Sequence, residues 1–191
     1  SDNVLVARHD WLPYMFNYLG QYGVRKDQYG RALSYDEFKN LPIHGKYHPL
    51  DIKDLARLLK EYPDAYFITD TKGTREEDIR KTFDVLVKSV LEEEPEVMDR
   101  FIPQIYNENM LRIVREYYDF KHVIYTLYQT LATEDKILKF ALENNIRAIT
   151  FSENKVNSGF ITKLSNHGIF TYIHTINDTE KAKFYTEEVG L

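Results

Sequence analysis

The run Phe67-Ile68-Thr69-Asp70-Thr71-Lys72 joins a short β-rich segment to two charged residues. Side chains alternate between the faces of a strand, so this run predicts Asp70 and Lys72 on one face, about 7 Å apart. Burying an acid and a base costs free energy unless the two groups are paired or have a function. A carboxylate here suits a divalent cation, and an ammonium suits a phosphate oxygen. The alternative is a structural ion pair that closes the strand.

Strand-like runs of this kind recur along the chain. Each is short and nearly continuously apolar, as expected of strands buried on both faces, and amphipathic stretches separate one run from the next. This alternation predicts an α/β fold with parallel βαβ units, which fits either a doubly wound sheet or a (β/α)8 TIM barrel. The runs are Val4–Arg8, Ala65–Thr69, Phe101–Tyr106, His122–Tyr128, Ala148–Ser152 and Phe170–Ile176.

The polar residues at the ends of these runs favour the barrel. In a barrel the carboxyl ends of the strands converge on one mouth, where active sites lie. Six strands do not close an eight-stranded barrel, so we expect either a smaller fold or a TIM barrel that is incomplete in this chain. The end residues are His9, Asp70 with Lys72, Gln104, Thr126 and His174.

Apolar residues between the strands recur at helical spacing and are expected to pack against the sheet. We predict Thr133 and Asn157 as helix N-caps, and Gly168 as the end of a helix. The connection over about residues 11–50 is rich in Gly, Pro and Tyr and is predicted to form a rim or lid. The apolar stripes contain Ile79, Phe83, Leu86, Val90, Leu111, Val114, Ile137, Leu138, Leu142 and Leu164.

Composition excludes several classes of protein. The 191 residues carry a net charge of −5 and lack the basic stripe of a nucleic-acid binder. No apolar run approaches the ~18–20 residues of a membrane span. There is no cysteine, which excludes disulfides and thiol catalysis. We therefore expect neither a nucleic-acid partner nor a transmembrane segment.

Several polar side chains are candidates for a site. His9 could transfer protons near neutral pH, or could be a strand-end histidine without a role. Gln104 and Tyr106 share a strand face, as do Thr126 and Tyr128. Each could donate a hydrogen bond to a phosphate or headgroup, or could be a polar side chain already satisfied within the protein. His174 is either part of the mouth or a core histidine.

Taken together, these segments resemble the glycerophosphodiester phosphodiesterase family and its phosphatidylinositol-phospholipase-C-like relatives. The matching segments follow one another in order over nearly the whole chain, although His174 stands where the family usually has Trp. They are Val4-Leu5-Val6-Ala7-Arg8-His9-Asp10-Trp11, Pro49-Leu50 with Asp54-Leu55, Phe67–Lys72, Ile102–Tyr106, Val123–Tyr128 and Gly168–Asp178.

The resemblance implies a TIM-barrel phosphodiesterase domain that cleaves a glycerophosphodiester or a phospholipid headgroup with a divalent cation, Mg²⁺ or Ca²⁺. It implies that His9 is one of two acid/base histidines, that Asp70 is a metal ligand and that Lys72 contacts the phosphate. Gln104, Tyr106, Thr126 and His174 would contact the substrate. The attacking oxygen would be water or a hydroxyl of the substrate itself.

Residues 1–191 are interpreted as a single domain that corresponds to the middle of such a barrel. The family's strands ending in His-Arg and in Glu-x-Asp would precede Ser1, and a closing segment would follow Leu191. We therefore expect these residues alone to bind metal weakly and to lack activity. The alternative is a degenerate barrel that acts as a surface binding module, with His174 in place of Trp as one sign of lost activity.

Overall fold

The computed structural model describes residues 2–189. The chain divides into two compact units, of which one comprises Ser1–Ala65 with Thr82–Met98 and the other Tyr66–Lys81 with Asp99–Leu191. We call them the first and the second unit. The interpretation as a single domain stays a prediction.

The second unit contains a parallel five-stranded sheet in which each strand pairs with the next one along the chain. Neighbouring strands that are consecutive in sequence and parallel are the arrangement of a TIM barrel, so the α/β prediction is confirmed. The strands are β1 (Phe67–Thr69), β2 (Phe101–Ile105), β3 (Ile124–Thr126), β4 (Ala148–Ser152) and β5 (Phe170–His174).

Helices lie between the strands at the positions of the apolar stripes, and other helices precede β1 and follow β5. They are α1 (Pro13–Tyr18), α2 (Tyr35–Lys39), α3 (Ile52–Glu61), α4 (Glu76–Glu93), α5 (Glu108–Arg115), α6 (Glu134–Glu143), α7 (Ser158–Asn166) and α8 (Thr179–Glu187), with 3-10 turns at Lys26–Gln28, Pro95–Arg100, Leu127–Gln129 and Glu153–Lys155. Within residues 2–189, every helix is too short or too polar to cross a membrane.

The expected burial of the stripes is confirmed except at Leu142, which is 45% exposed. Ile137, Leu138 and Ala141 form the buried face of α6, and the helical rotation places Leu142 at the edge of that face. Asn157 caps α7 by accepting hydrogen bonds from two backbone amides, whereas Thr133 precedes α6 without a side-chain cap bond.

Gly168 follows α7 with φ +70°, a conformation that glycine adopts without steric cost. The backbone then turns directly into β5.

The predicted strand at Val4–Arg8 is wrong. Val6 makes only an isolated antiparallel bridge to Asp51. The amide of Ala7 donates a hydrogen bond to the carbonyl of Leu50 at 2.8 Å. The amide of Ile52 donates one to the carbonyl of Leu5 at 3.0 Å. The run therefore pairs with the segment that leads into α3, and this segment turns into the helix too soon for a ladder to form.

The connection over residues 11–50 has a small core of its own in the first unit. Phe16, Leu33 and Phe38 are buried together. The Arg8 guanidinium lies 4.3 Å from the ring centroid of Phe16 and 4.6 Å from that of Trp11. The sequence did not predict that this connection folds around its own aromatic residues.

Substitution of Leu164 by Ala tests the burial of α7. Leu164 is fully buried, so its loss is expected to lower the free energy of unfolding by about 2–5 kcal/mol. Leu131→Ala is the matched control, since Leu131 is fully exposed and the same change should cost under about 0.5 kcal/mol. Urea unfolding of both variants measures the difference, and equal costs would contradict this packing.

Candidate active site

Parallel register brings polar side chains from neighbouring strands into one row. Thr126 of β3 aligns with Thr150 of β4, and Thr150 aligns with Tyr172 of β5. Because alternate residues share a face, His174 lies on the same face as Tyr172. On β2, Gln104 aligns with Ile124, two residues before Thr126, and so joins the same face.

This row lines a cavity of about 180 Å³ at the carboxyl ends of the strands. The cavity is much larger than the ~30 Å³ share of one water and smaller than the ~300–1,000 Å³ sites of drug-sized ligands. It therefore suits one compact polar group. The lining residues are Asp70, Gln104, Thr126, Tyr128, Thr150, Tyr172, His174 and Thr175.

Asp70 is held by the buried Tyr106. The Tyr106 hydroxyl donates a hydrogen bond to Asp70 Oδ1 and accepts one from the Lys72 amide at 3.4 Å. Burial, together with the hydrogen bond and charge of Asp70, raises the pKa of Tyr106 well above its ordinary value. Tyr106 therefore stays protonated as a donor, and the carboxylate of Asp70 is fixed at the end of β1.

Two residues that follow strand ends adopt a left-handed backbone conformation, which non-glycine residues rarely take. Lys72 has φ +57° and Thr175 has φ +59°. Such conformations cost of order 1–3 kcal/mol each and concentrate at functional sites. Here they lie directly after Asp70-Thr71 and after His174.

The remaining polar groups form pairs across the strands. Thr126 Oγ1 donates to Gln104 Oε1 at 3.0 Å, and Thr150 Oγ1 lies 2.9 Å from Nδ1 of His174. Burial lowers the pKa of His174, and the nearby charge of Asp70 opposes this change. His174 is therefore mainly neutral at pH 7 and can hydrogen-bond without adding charge.

His9 lies in the first unit, within a short hydrogen-bonded cluster. Its Nδ1 is 2.7 Å from Asp10 Oδ2. Partial desolvation raises the pKa of Asp10, but hydrogen bonds from Tyr14, the Leu12 amide and His9 outweigh it and lower the pKa to about 2. Asp10 is therefore ionised and orients the imidazole. The predicted convergence of His9 with Asp70 and Lys72 stays a prediction, because those two residues belong to the second unit.

Comparison with solved structures identifies the architecture. A glycerophosphodiester phosphodiesterase from Parabacteroides distasonis aligns with a TM-score of 0.69 and 15% identity, over 100% of this chain and 72% of its own. A protein assigned as a glycerophosphoryl diester phosphodiesterase, from Silicibacter pomeroyi, aligns with a TM-score of 0.73 and 12% identity, over 100% and 74%. The fold is that of glycerophosphodiester phosphodiesterases.

A third protein of the same assignment, from Galdieria sulphuraria, aligns with a TM-score of 0.66 and 12% identity, over 98% of this chain and 78% of its own. No protein-family model matches the chain, and no curated protein matches it by sequence. The likeness to glycerophosphodiester phosphodiesterases is therefore one of fold, and it confirms the TIM-barrel resemblance read from the ordered motifs.

The divalent cation expected from the sequence resemblance lacks a complete set of ligands among the described residues. Within residues 2–189, no group of three or more His, Cys, Asp or Glu side chains is arranged to hold a metal ion. Asp70 contributes one carboxylate, which already accepts a hydrogen bond from Tyr106. The predicted role of Asp70 as a metal ligand stays a prediction.

The cavity includes residues that the sequence reading did not select. Thr150, Tyr172 and Thr175 line it beside Tyr128 and the predicted Asp70, Gln104, Thr126 and His174. Thr150 could have been found from its polar character inside an otherwise apolar strand. Lys72 and Tyr106 are not among the residues that line the cavity. Tyr106 is buried and its hydroxyl contacts Asp70 from outside the cavity lining.

The environment of His174 can be checked by NMR titration. Because burial disfavours the charged imidazole, its pKa is expected below the ordinary value of about 6.5, and Asp70→Asn should lower it further. The contribution of His174 to stability is then complete above about pH 6.5 and is lost as the pH falls through its folded-state pKa. A midpoint above about 6.5 would contradict this account.

Proposed function

We propose that this protein is a phosphodiesterase that acts on a small phosphodiester, a glycerophosphodiester or a phospholipid headgroup. The observation that carries the proposal is the row of polar side chains at the carboxyl ends of five parallel strands, in a fold shared with glycerophosphodiester phosphodiesterases. Active sites of barrel enzymes lie at these strand ends.

In this proposal His9 is one of two acid/base histidines, of which one activates the attacking oxygen and the other protonates the leaving alcohol. Asp10, ionised and hydrogen-bonded to Nδ1, stabilises the imidazolium that forms. The exposed Lys72 supplies a positive charge to a phosphoryl oxygen. Gln104 and Thr126 position the substrate by hydrogen bonds.

We derive no step through a metal ion, because the described residues offer Asp70 without further ligands arranged around it. Dependence on Mg²⁺ or Ca²⁺ is a separate proposal that rests on the resemblance. It is tested by adding a chelator to the active protein and restoring each cation in turn.

A binding module without catalysis is the second candidate. His174 in the position where the resembled family usually has Trp favours it. The two candidates share the cavity and differ only in whether a bound phosphodiester is cleaved.

Measuring hydrolysis of glycerophosphodiesters distinguishes the phosphodiesterase from the binding module. The native protein is expected to hydrolyse glycerophosphodiesters. The substitution His9→Gln is expected to lower kcat by about 10²–10⁴-fold, because a proton-transfer group is lost. Lys72→Met should also lower kcat/KM. Phosphorus NMR of the products distinguishes attack by water from attack by a substrate hydroxyl, because the latter gives a cyclic phosphate.

His122→Gln and Lys121→Met are matched controls, since both residues are exposed and neither lines the cavity. Residues 1–191 alone are expected to show little or no turnover. If the native protein binds glycerophosphodiesters without cleaving them, the binding module is favoured. If it does not bind them at all, both candidates are rejected.

A further inference from the structure

In the first unit, His9 lies in a turn that is held by the side chain of the preceding residue, Arg8. Arg8 Nε donates a hydrogen bond to the backbone carbonyl of Asp10 at 2.6 Å, so the guanidinium reaches across His9. Arg8 Nη1 donates to Oε1 of Gln21 at 2.9 Å, and Gln21 is only 3% exposed. The guanidinium therefore ties the backbone that follows His9 to a buried residue further along the chain.

The groups that hold Arg8 belong to the connection over residues 11–50. Gln21 Nε2 donates a hydrogen bond to the carbonyl of Leu41 at 2.8 Å. The rings of Trp11 and Phe16 lie against the guanidinium, at centroid distances of 4.6 and 4.3 Å. A planar guanidinium that contacts two rings and makes two hydrogen bonds has a defined orientation. The folded connection thus sets the position of Arg8, and Arg8 sets the backbone at Asp10.

Arg8 occupies a place where a guanidinium is costly. Within residues 2–189, Nη2 of Arg8 is buried and has no hydrogen-bond partner. Burial lowers the pKa of Arg8, although the nearby charge of Asp10 opposes this change. A methionine would fill the space beside the two rings without placing a charge there. Packing alone therefore does not explain an arginine at this position.

Asp10 connects the backbone of this turn to the imidazole of His9. The ionised carboxylate only accepts hydrogen bonds, so His9 Nδ1, which lies 2.7 Å from Asp10 Oδ2, is the donor. The Tyr14 hydroxyl donates to the same oxygen, and the Leu12 amide donates to Asp10 Oδ1 at 2.7 Å. A neutral His9 then carries its proton on Nδ1, and Nε2 is the nitrogen that can accept a proton.

We propose that Arg8 is a positioning residue for His9: it fixes the backbone at Asp10 and, through the Asp10 carboxylate, selects the tautomer of His9 that is protonated on Nδ1. The connection over residues 11–50 then supports the residue that orients His9. The value of this tautomer for proton transfer rests on the proposed function, whereas the orientation of His9 does not require that the protein cleaves anything.

Nitrogen NMR of the native protein, with isotope-labelled histidine, measures the tautomer of His9 directly, because protonated and unprotonated ring nitrogens differ in chemical shift. The His9 signals are assigned by their loss in His9→Gln. At a pH where the imidazole is neutral, the unmodified protein is expected to hold the Nδ1–H tautomer. Arg8→Met is expected to shift the population toward the Nε2–H tautomer. An unchanged tautomer would overturn the proposal.

Two further variants accompany this measurement. Arg31→Met is the matched control, because Arg31 Nε makes the same kind of bond to the Asp27 carbonyl, at 3.1 Å, from an exposed position. It should leave the His9 tautomer unchanged. Arg8→Lys keeps the positive charge and one donor for the Asp10 carbonyl, so it should retain part of the Nδ1–H population. Equal shifts in Arg31→Met and Arg8→Met would contradict the proposal.

Thermal unfolding distinguishes positioning from a purely structural role. Arg8→Met removes a desolvated charge but leaves the amide oxygen of the buried Gln21 without its donor, and these two effects oppose each other. The melting temperature is therefore expected within about 5 °C of that of the unmodified protein. A larger fall, or a variant that does not fold, would show that Arg8 serves stability and would overturn the proposal.

Turnover of glycerophosphodiesters by the native protein is compared in two backgrounds. Arg8→Met is expected to lower kcat about tenfold to a hundredfold with KM little changed, because a misplaced proton-transfer group slows the chemical step. In the His9→Gln background the same substitution should have no further effect on kcat, since Arg8 acts through His9. An equal additional loss in that background would overturn the proposal.

The proposed function and the role of Arg8 fail in different ways. A tautomer shift in Arg8→Met, in a protein that cleaves no glycerophosphodiester, would reject the proposed function and keep Arg8 as a positioning residue for His9. Turnover that Arg8→Met leaves unchanged would keep the proposed function and reject the role of Arg8 in it.

Discussion

Hydrogen bonding between parallel strands fixes Thr126, Thr150 and Tyr172 side by side in the second unit. A shift of one residue in any strand would turn its polar side chains toward the helices and its apolar ones toward the cavity. The helix-facing residues Ile149 and Phe151 of β4 are buried and oppose such a shift. The apolar packing behind the sheet therefore determines which polar groups meet in front of it.

The cavity shows how burial adjusts the chemistry of ordinary side chains. Desolvation keeps Tyr106 protonated and His174 mainly neutral, so the charge of Asp70 is the dominant charge inside the cavity. In the first unit the opposite result appears at Asp10, where hydrogen bonds outweigh desolvation and keep the carboxylate ionised. A carboxylate that accepts several hydrogen bonds is stabilised in its charged form. The partners of Tyr106 and His174 are distant in the sequence, whereas those of Asp10 lie within four residues of it.

Prediction from the sequence succeeded where one physical signal dominates. Helices α4 to α7 follow apolar stripes whose period leaves little alternative, and strands β2, β4 and β5 are apolar runs between them. Prediction failed at Val4–Arg8. This run has the same β-rich composition, but it forms only an isolated bridge, between Val6 and Asp51. Composition indicates that a segment can pair, but pairing also requires a partner strand at the right distance. It also did not anticipate α8, whose described residues show no buried side chain and hence no clear stripe.

The sequence by itself determined the parallel α/β class, the five strands of the sheet with the helices between them, and the polar residues at the strand ends, because these follow from side-chain period and chain order alone. Only the tertiary structure decided that Tyr106 points behind Asp70 rather than into the cavity, and that Thr150 and Tyr172 complete the wall. It also decided that the cavity holds a carboxylate without a lining Lys or Arg among the described residues. The reason is that sequence alternation assigns a side chain to a face, whereas its contacts depend on the register and twist of neighbouring strands, which come from elsewhere in the chain.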